Sequence, residues 1–461
     1  MDNIKLEEIT NFLSELISFN TLKKDTSTEH PLGKNITKIF DFIEKKANKD
    51  KIGKITRFKN YALEIEIGEG SKVFTIPVHL DIVPFEKNDW ETDPLKLSFK
   101  NGYYYGRGTT DNKGPGAILY QIFKDLKSEN KKIKQRVKLV FLGDEETEWK
   151  GTEYYLSNVD RKPDSGFVPD ADFPLINGEK GIHQGSYVGT LIETMDLNFD
   201  INVFKLSAGN VINAVPGKMK IDLELIGPNK NKIIRDSLEG LKYTKKNNIY
   251  SIVIEGIPSH GSKPDKGRNA FDKFICIFDK YKFNRSFQIF LEFYKKYFFQ
   301  DNYGKKIGFD SFDDEMGPTT LNKGIIEYNR TDFKITYDIR RTRTLESEEL
   351  ELKLDSILND NNFKRKDIRI DKMIFESPNS ELVKMLLSSY IKITNDKNAR
   401  PFSIGGGTYA RAFPNTLAFG PNLINDSEIK SSNIHGNNEN ISKKAIEINY
   451  KIYKDVIINL S

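Results

Sequence analysis

The run Phe74-Thr75-Ile76-Pro77-Val78 is apolar apart from Thr75 and leads directly into His79-Leu80-Asp81. A short apolar run of this kind reads as a buried strand. Its neighbours set the fold around it. Tyr61 to Ile67 alternates and stops at Gly68-Glu69-Gly70, a strand before a turn, and Val137 to Leu142 is a third strong strand ending at Asp144-Glu145-Glu146. Apolar residues at helical spacing mark Leu6 to Ile17, Ile36 to Ala47 and Gly114 to Leu126. This alternation predicts an α/β domain, a mixed sheet with helices on both faces, and functional groups at the carboxyl ends of its strands.

The middle of the chain differs. Met219 to Leu225 and Phe333 to Ile339 alternate strictly, as strands of a half-exposed sheet do. The apolar run from Phe287 to Phe299 is broken by Gln288, Glu292, Lys295 and Lys296, so it reads as an amphipathic helix. A helix near Leu382 to Ile393, the Gly405-Gly406-Gly407 loop and a final helix at Ile441 to Ile458 return to the first pattern. The expected organisation is a discontinuous catalytic domain, 1–185 with 381–461, interrupted by an α+β lid at 186–380. The insertion, roughly 195 residues against about 100 for a small sheet-and-helix unit, is long enough for two such units.

At 461 residues the chain can bury a substantial core. Its 66 acids nearly balance its 71 bases, which argues against a dedicated nucleic-acid binder. The single Cys276 excludes an internal disulfide and fits a reducing, cytoplasmic setting. No apolar window reaches the length of a membrane span, and the N-terminal segment lacks a signal core.

Only five histidines occur, so their placement is informative. His, Asp and Glu are the usual ligands of a hydrolytic zinc site. His79 and Asp81 end a strand, Asp111 sits in a glycine-rich turn before a helix, and Glu145-Glu146 end another strand. Asp170 follows Pro169, and His435 lies in a polar Asn/Gly-rich loop. Singly, each has an ordinary explanation: a cap, a turn residue, a solvated pair, an exposed histidine. His30 and His183 are assigned no metal role, although His183 lies near the expected hinge. The triple glycine is not a phosphate loop, because no Lys-Ser/Thr follows it.

Order and surroundings reverse the single-residue judgement. His79-Leu80-Asp81-Ile82-Val83-Pro84, Gly106-Arg107-Gly108-Thr109 with Asp111-Asn112-Lys113-Gly114-Pro115, and Asp144-Glu145-Glu146-Thr147-Glu148-Trp149 occur in sequence. Pro169-Asp170-Ala171-Asp172-Phe173-Pro174, Ser259-His260-Gly261, Gly405-Gly406-Gly407-Thr408-Tyr409-Ala410-Arg411 and the His435 segment follow. Through nearly its whole length the chain resembles the di-zinc aminoacylase/carnosinase/carboxypeptidase G superfamily of metallopeptidases, and within it the PepV-like bacterial dipeptidases.

The resemblance implies two zinc ions, with manganese or cobalt as substitutes. His79 and Asp170 would hold one ion, Glu146 and His435 the other, and Asp111 would bridge both. Asp81 would orient His79. The implied reaction is hydrolysis of a dipeptide by a water activated between the ions, with Glu145 as general base. His260 would stabilise the charge on the carbonyl oxygen. Asn213, Arg340, Gly406, Gly407 and Arg411 would contact the peptide, with Arg340 on its carboxylate. The small peptide is the only expected partner, with no nucleic acid and no membrane. The long lid could supply His260 within one chain, which predicts a monomer. The alternatives are an N-acyl-amino-acid deacylase using the same site and a non-catalytic peptide-binding descendant.

The chain departs from the usual pattern beside several of these residues. Asp111-Asn112-Lys113-Gly114 stands where Asp-Asp-Lys-Gly is common, Val78 where glycine is, and Phe85-Glu86 replace a small-residue turn. His435-Gly436-Asn437-Asn438-Glu439 stands where His-Gln-x-Asn-Glu is usual. None of these changes removes an expected ligand or Glu145.

Overall fold

The structure, a computed structural model, describes residues 3–192, 198–358, 363–424, 426 and 429–460. The chain divides into two compact units, one of residues 1–178, 376–402 and 407–461, the other of residues 179–375 and 403–406.

The first unit is built on a mixed sheet. Strands β1 (Lys54–Phe58), β2 (Ala62–Ile67) and β3 (Val73–His79) enter it, in the order β1, β2, Arg136–Leu142, β3, Ser165–Val168, Thr416–Ala418, Ile176–Glu179. The four central strands, from Arg136–Leu142 to Thr416–Ala418, run parallel, and the flanking pairs are antiparallel. Every residue of β3 is buried, as its unbroken apolar pattern requires. Helix α3 (Lys113–Ser128) packs with α1 (Asn3–Ile17) and with the C-terminal helix Lys443–Ile458, while α2 (Lys34–Asp50) and Lys150–Asn158 pack on β1 and β2. Helix α2 buries Ile36, Ile39, Phe40, Ile43 and Ala47, a three-to-four spacing that lines one face.

Parallel strands share one carboxyl edge, so three neighbours deliver His79, Asp144-Glu145-Glu146 and Pro169-Asp170 to the same side. Helix α3 begins immediately after Asp111 and Asn112. Its tight entry depends on Gly114, where a Cβ would lie 1.9 Å from the Thr109 carbonyl oxygen.

The last helix starts at Lys443, not at Ile441. Asn440–Ser442 pairs antiparallel with Tyr103–Tyr105 and Ser442 caps the helix from outside, accepting from the Ala445 N–H. The apolar Ile441 therefore belongs to the strand.

The second unit is built on an antiparallel sheet of eight strands in the order Lys242–Lys246, Ile249–Glu255, Lys218–Leu225, Ile201–Ala208, Thr320–Tyr328, Asp332–Arg341, Gly181–Thr190, Lys364–Asp371. A single apolar cluster unites its inner face with helices Ala270–Phe278, Arg285–Tyr297 and Ser347–Ser356. Among the described residues, no helix is long and apolar enough to cross a membrane.

Phe271 sits at the centre of that cluster, fully buried, with ring centroids 4.7 Å from Tyr294 and 5.5 Å from Phe290. Phe271→Ala is expected to cost about 3–5 kcal/mol of unfolding free energy in urea. A loss under about 1 kcal/mol contradicts this packing.

Candidate metal centre

His79 is fully buried at the end of β3, with Nε2 2.7 Å from Asp111 Oδ1 and 3.9 Å from Asp170 Oδ2. The second oxygen of Asp111 lies 3.0 Å from His435 Nε2, which is also 3.0 Å from Glu146 Oε1. Each Asp111 oxygen thus faces a different histidine. Among the described residues, three groups each bring their donor atoms within 4.8 Å of one another: His79, Asp111 and Asp170; His79, Glu145 and Glu146; Asp111, Glu146 and His435.

Asp81 does more than orient a ring. Its Oδ1 is 3.3 Å from His79 Nδ1, and its carboxylate also accepts the backbone N–H groups of Glu145 (3.1 Å) and Glu146 (2.9 Å). One side chain therefore fixes the ends of two neighbouring strands. Asn112, after a cis peptide bond, donates from Nδ2 to the Pro169 carbonyl at 2.6 Å. A carboxylate there would set two acceptors against each other, so the asparagine in place of the usual aspartate ties the Asp111 turn to the Asp170 loop.

Burial and crowding set the protonation. Burial pulls the His79 imidazole down, but bonds to Asp111 and Asp81 outweigh it and leave it well above the usual histidine range. Bonds to Asp111 and Glu146 push His435 up to about 10. Asp111 is opposed by burial, yet its two histidines hold it well below the carboxylate range. Burial and the Asp111 charge raise Asp170 strongly, and burial with neighbouring carboxylates pushes Glu145 up to about 8.

These residues fit divalent cations. Four carboxylates and two imidazoles converge, all oxygen and nitrogen donors, and the carboxylates are buried or half-buried. Metal ions bound there would offset their charge without further protein groups.

The other expected residues divide between the units. Gly407 and Arg411 lie in the first, where the Arg411 guanidinium packs so closely on Gly407 that a Cβ there would meet it at 1.6 Å. Asn213, His260, Arg340 and Gly406 lie in the second. There, Ala214 bridges to His260, and the Asn213 carbonyl accepts from the Gly261 N–H at 2.7 Å. Arg340 is buried: its Nε and Nη2 donate to Asp338 Oδ2 and its Nη1 donates to the Gly405 carbonyl at 2.9 Å. Burial and the nearby Arg340 charge lower the His260 pKa. His183 is buried against Glu351, and His30 contacts Thr37.

Sequence reasoning did not single out Glu439, whose buried carboxylate accepts from the backbone N–H groups of Gly108, Thr110 and Asp111. Its signal was an acid closing the His435 segment.

The model of Peptidase family M20/M25/M40 matches residues 76–459, and the chain belongs to that family. A Staphylococcus aureus protein provisionally named a dipeptidase is 30% identical over 468 residues, spanning 98% of this chain and 97% of that protein. Two solved structures share the fold over nearly the full length of both chains. Aminoacylhistidine dipeptidase from Vibrio alginolyticus has a TM-score of 0.60 at 15% identity, covering 98% of this chain and 96% of its own. An M20 family metallo-carboxypeptidase from Sulfolobus solfataricus has a TM-score of 0.55 at 17% identity, covering 100% and 99%.

The crowding around Glu145 has a measurable sign. In the metal-free fold Glu145 keeps its proton to about 8, while an unperturbed glutamate loses it near 4.5, so rising pH favours the unfolded chain. Metal-free Glu145→Gln should gain stability over wild type, by more than about 1 kcal/mol, between about pH 5 and about pH 9. A difference that stays flat across that range, measured by denaturant titration, contradicts the buried setting.

Proposed function

We propose that the chain is a metal-dependent dipeptidase, with the M20 catalytic set in the first unit and substrate-binding residues in the second, acting as a lid. The observation that carries this reading is Asp111, one oxygen toward His79 and the other toward His435, with Glu145 beside them.

In this reading His79 and Asp170 would hold one cation, Glu146 and His435 would hold the other, and Asp111 would serve both. An all-nitrogen-and-oxygen donor set suits zinc, manganese or cobalt. Cations bound there would supply a water of lowered pKa and Lewis-acid polarisation of the scissile carbonyl. Glu145 takes the proton of the attacking water and passes it to the leaving amine. Its raised affinity for a proton suits both halves of that transfer. Asp81 holds the His79 ring and the Glu145-Glu146 backbone in place meanwhile.

His260, kept neutral by its surroundings, donates to the developing oxyanion. Arg340 binds the free carboxylate of the peptide, its guanidinium steadied by Asp338. Asn213, Gly406, Gly407 and Arg411 complete the contacts to the peptide backbone, and the chain works as a monomer. The dipeptidase name of a relative that matches this chain end to end supports the choice of substrate.

Metal-free protein reconstituted with zinc, manganese or cobalt should hydrolyse members of a dipeptide panel faster than acetyl- or succinyl-amino acids. Failure on every dipeptide with all three metals overturns the reading, and faster turnover of the acyl compounds makes the chain a deacylase. Glu145→Ala should lower kcat by about 10²- to 10⁴-fold while metal content stays at the wild-type level. Retained turnover removes Glu145 as the base.

A further inference from the structure

Glu439 lies four residues after His435 and takes no part in the reaction proposed above. Its side chain is fully buried and accepts four hydrogen bonds. Oε2 accepts from Arg107 Nη1 at 2.9 Å and from the Gly108 N–H at 3.0 Å. Oε1 accepts from the Thr110 N–H at 2.9 Å and the Asp111 N–H at 3.1 Å. A carboxylate is buried at such a position only when its lone pairs are used and its charge is met, and here both conditions hold.

The backbone of the same residue is tied to the same turn. The Gly106 N–H donates to the Glu439 carbonyl at 3.1 Å, and Thr110 Oγ1 donates to the carbonyl of Asn440 at 2.8 Å. Asn440 in turn donates its N–H to Ser432 at 3.0 Å, closing the loop that carries His435. Glu439 thus stands at the base of one loop and inside the other.

His435 needs such an anchor. Its side chain is 58% exposed and its backbone is left-handed, with φ of 60°, so no packed core fixes it. His79 is the opposite case, fully buried and gripped by Asp81. Asp170 has its own tie, through the Asn112 amide to Pro169.

We infer that Glu439 is a positioning residue that sets the spacing of Asp111 and His435, and so the affinity of the cation held by Asp111, Glu146 and His435. The cation on the His79 and Asp170 side depends on it far less. Glutamine at 439 has the same size, but whichever side carries its amide NH2 turns donors onto two donors.

The inference rests on the proposed ligand roles of Asp111 and His435, and the test separates the two. Manganese(II) is titrated calorimetrically into the metal-free full chain. Wild type should take up two ions, and His435→Ala should identify the ion on its side by weakening it. Wild type binding fewer than two ions, or His435→Ala keeping both unchanged, overturns the ligand assignment.

Glu439→Gln should weaken that same ion by about 10- to 100-fold and leave the other within about threefold. Circular dichroism and thermal melts of the metal-free variant report its fold. Two ions at wild-type affinity, or equal weakening of both, overturns the inference alone. Should the glutamine variant not fold, Glu439→Asp keeps the charge beside Arg107 but falls one methylene short of the Thr110 and Asp111 amides. It should show the same selective loss to a smaller degree, and normal binding of both ions by it overturns the inference.

Discussion

A carboxylate placed between two imidazoles is the constraint on which the first unit is organised. Asp111 reaches His79 with one oxygen at 2.7 Å and His435 with the other at 3.0 Å. His435 is more than three hundred positions from the other two in the chain, so the fold must bring separate segments to one point. Around them Asp170, Glu145 and Glu146 add negative charge that burial makes costly. Protons or cations at the site offset that charge.

The sheet meets that demand by geometry. Three adjacent parallel strands end on one edge and carry His79, Glu145-Glu146 and Asp170 there. Asp111 arrives from the turn that starts α3, and His435 from a loop closed by the short Asn440–Ser442 strand. Three side chains stitch these ends together: Asp81 across two strands, Asn112 to the Pro169 carbonyl, and Glu439 to the Asp111 turn. An ionised aspartate at 112 could not make the bond that asparagine makes, so this departure from the family pattern has a direct physical role.

Much of this was legible from sequence because it rests on local patterns. The buried strand before His79, the helix after Asp111 and the alternating strands of the second unit all follow from apolar spacing. The ligand candidates were legible only in combination, through their order and neighbours. What stayed hidden depends on long-range partners. Asp81 gripping the Glu145 and Glu146 amides, and Glu439 satisfying the Asp111 turn, are contacts across 64 and 328 positions that no local period encodes. The burial of Arg340 against Asp338 is likewise set by packing and not by any local pattern. Ile441 fitted the helical period of the last helix, but pairing with Tyr104 placed it in a strand.

The central claim is that Asp111 bridges two cations, each completed by a different histidine. Crystals of the full chain soaked in zinc and measured at the zinc absorption edge test it directly. The expected anomalous map has two peaks flanking Asp111, one in contact with His79 and Asp170, the other with Glu146 and His435. A single peak, or peaks that leave Asp111 without contact to both, would contradict the account.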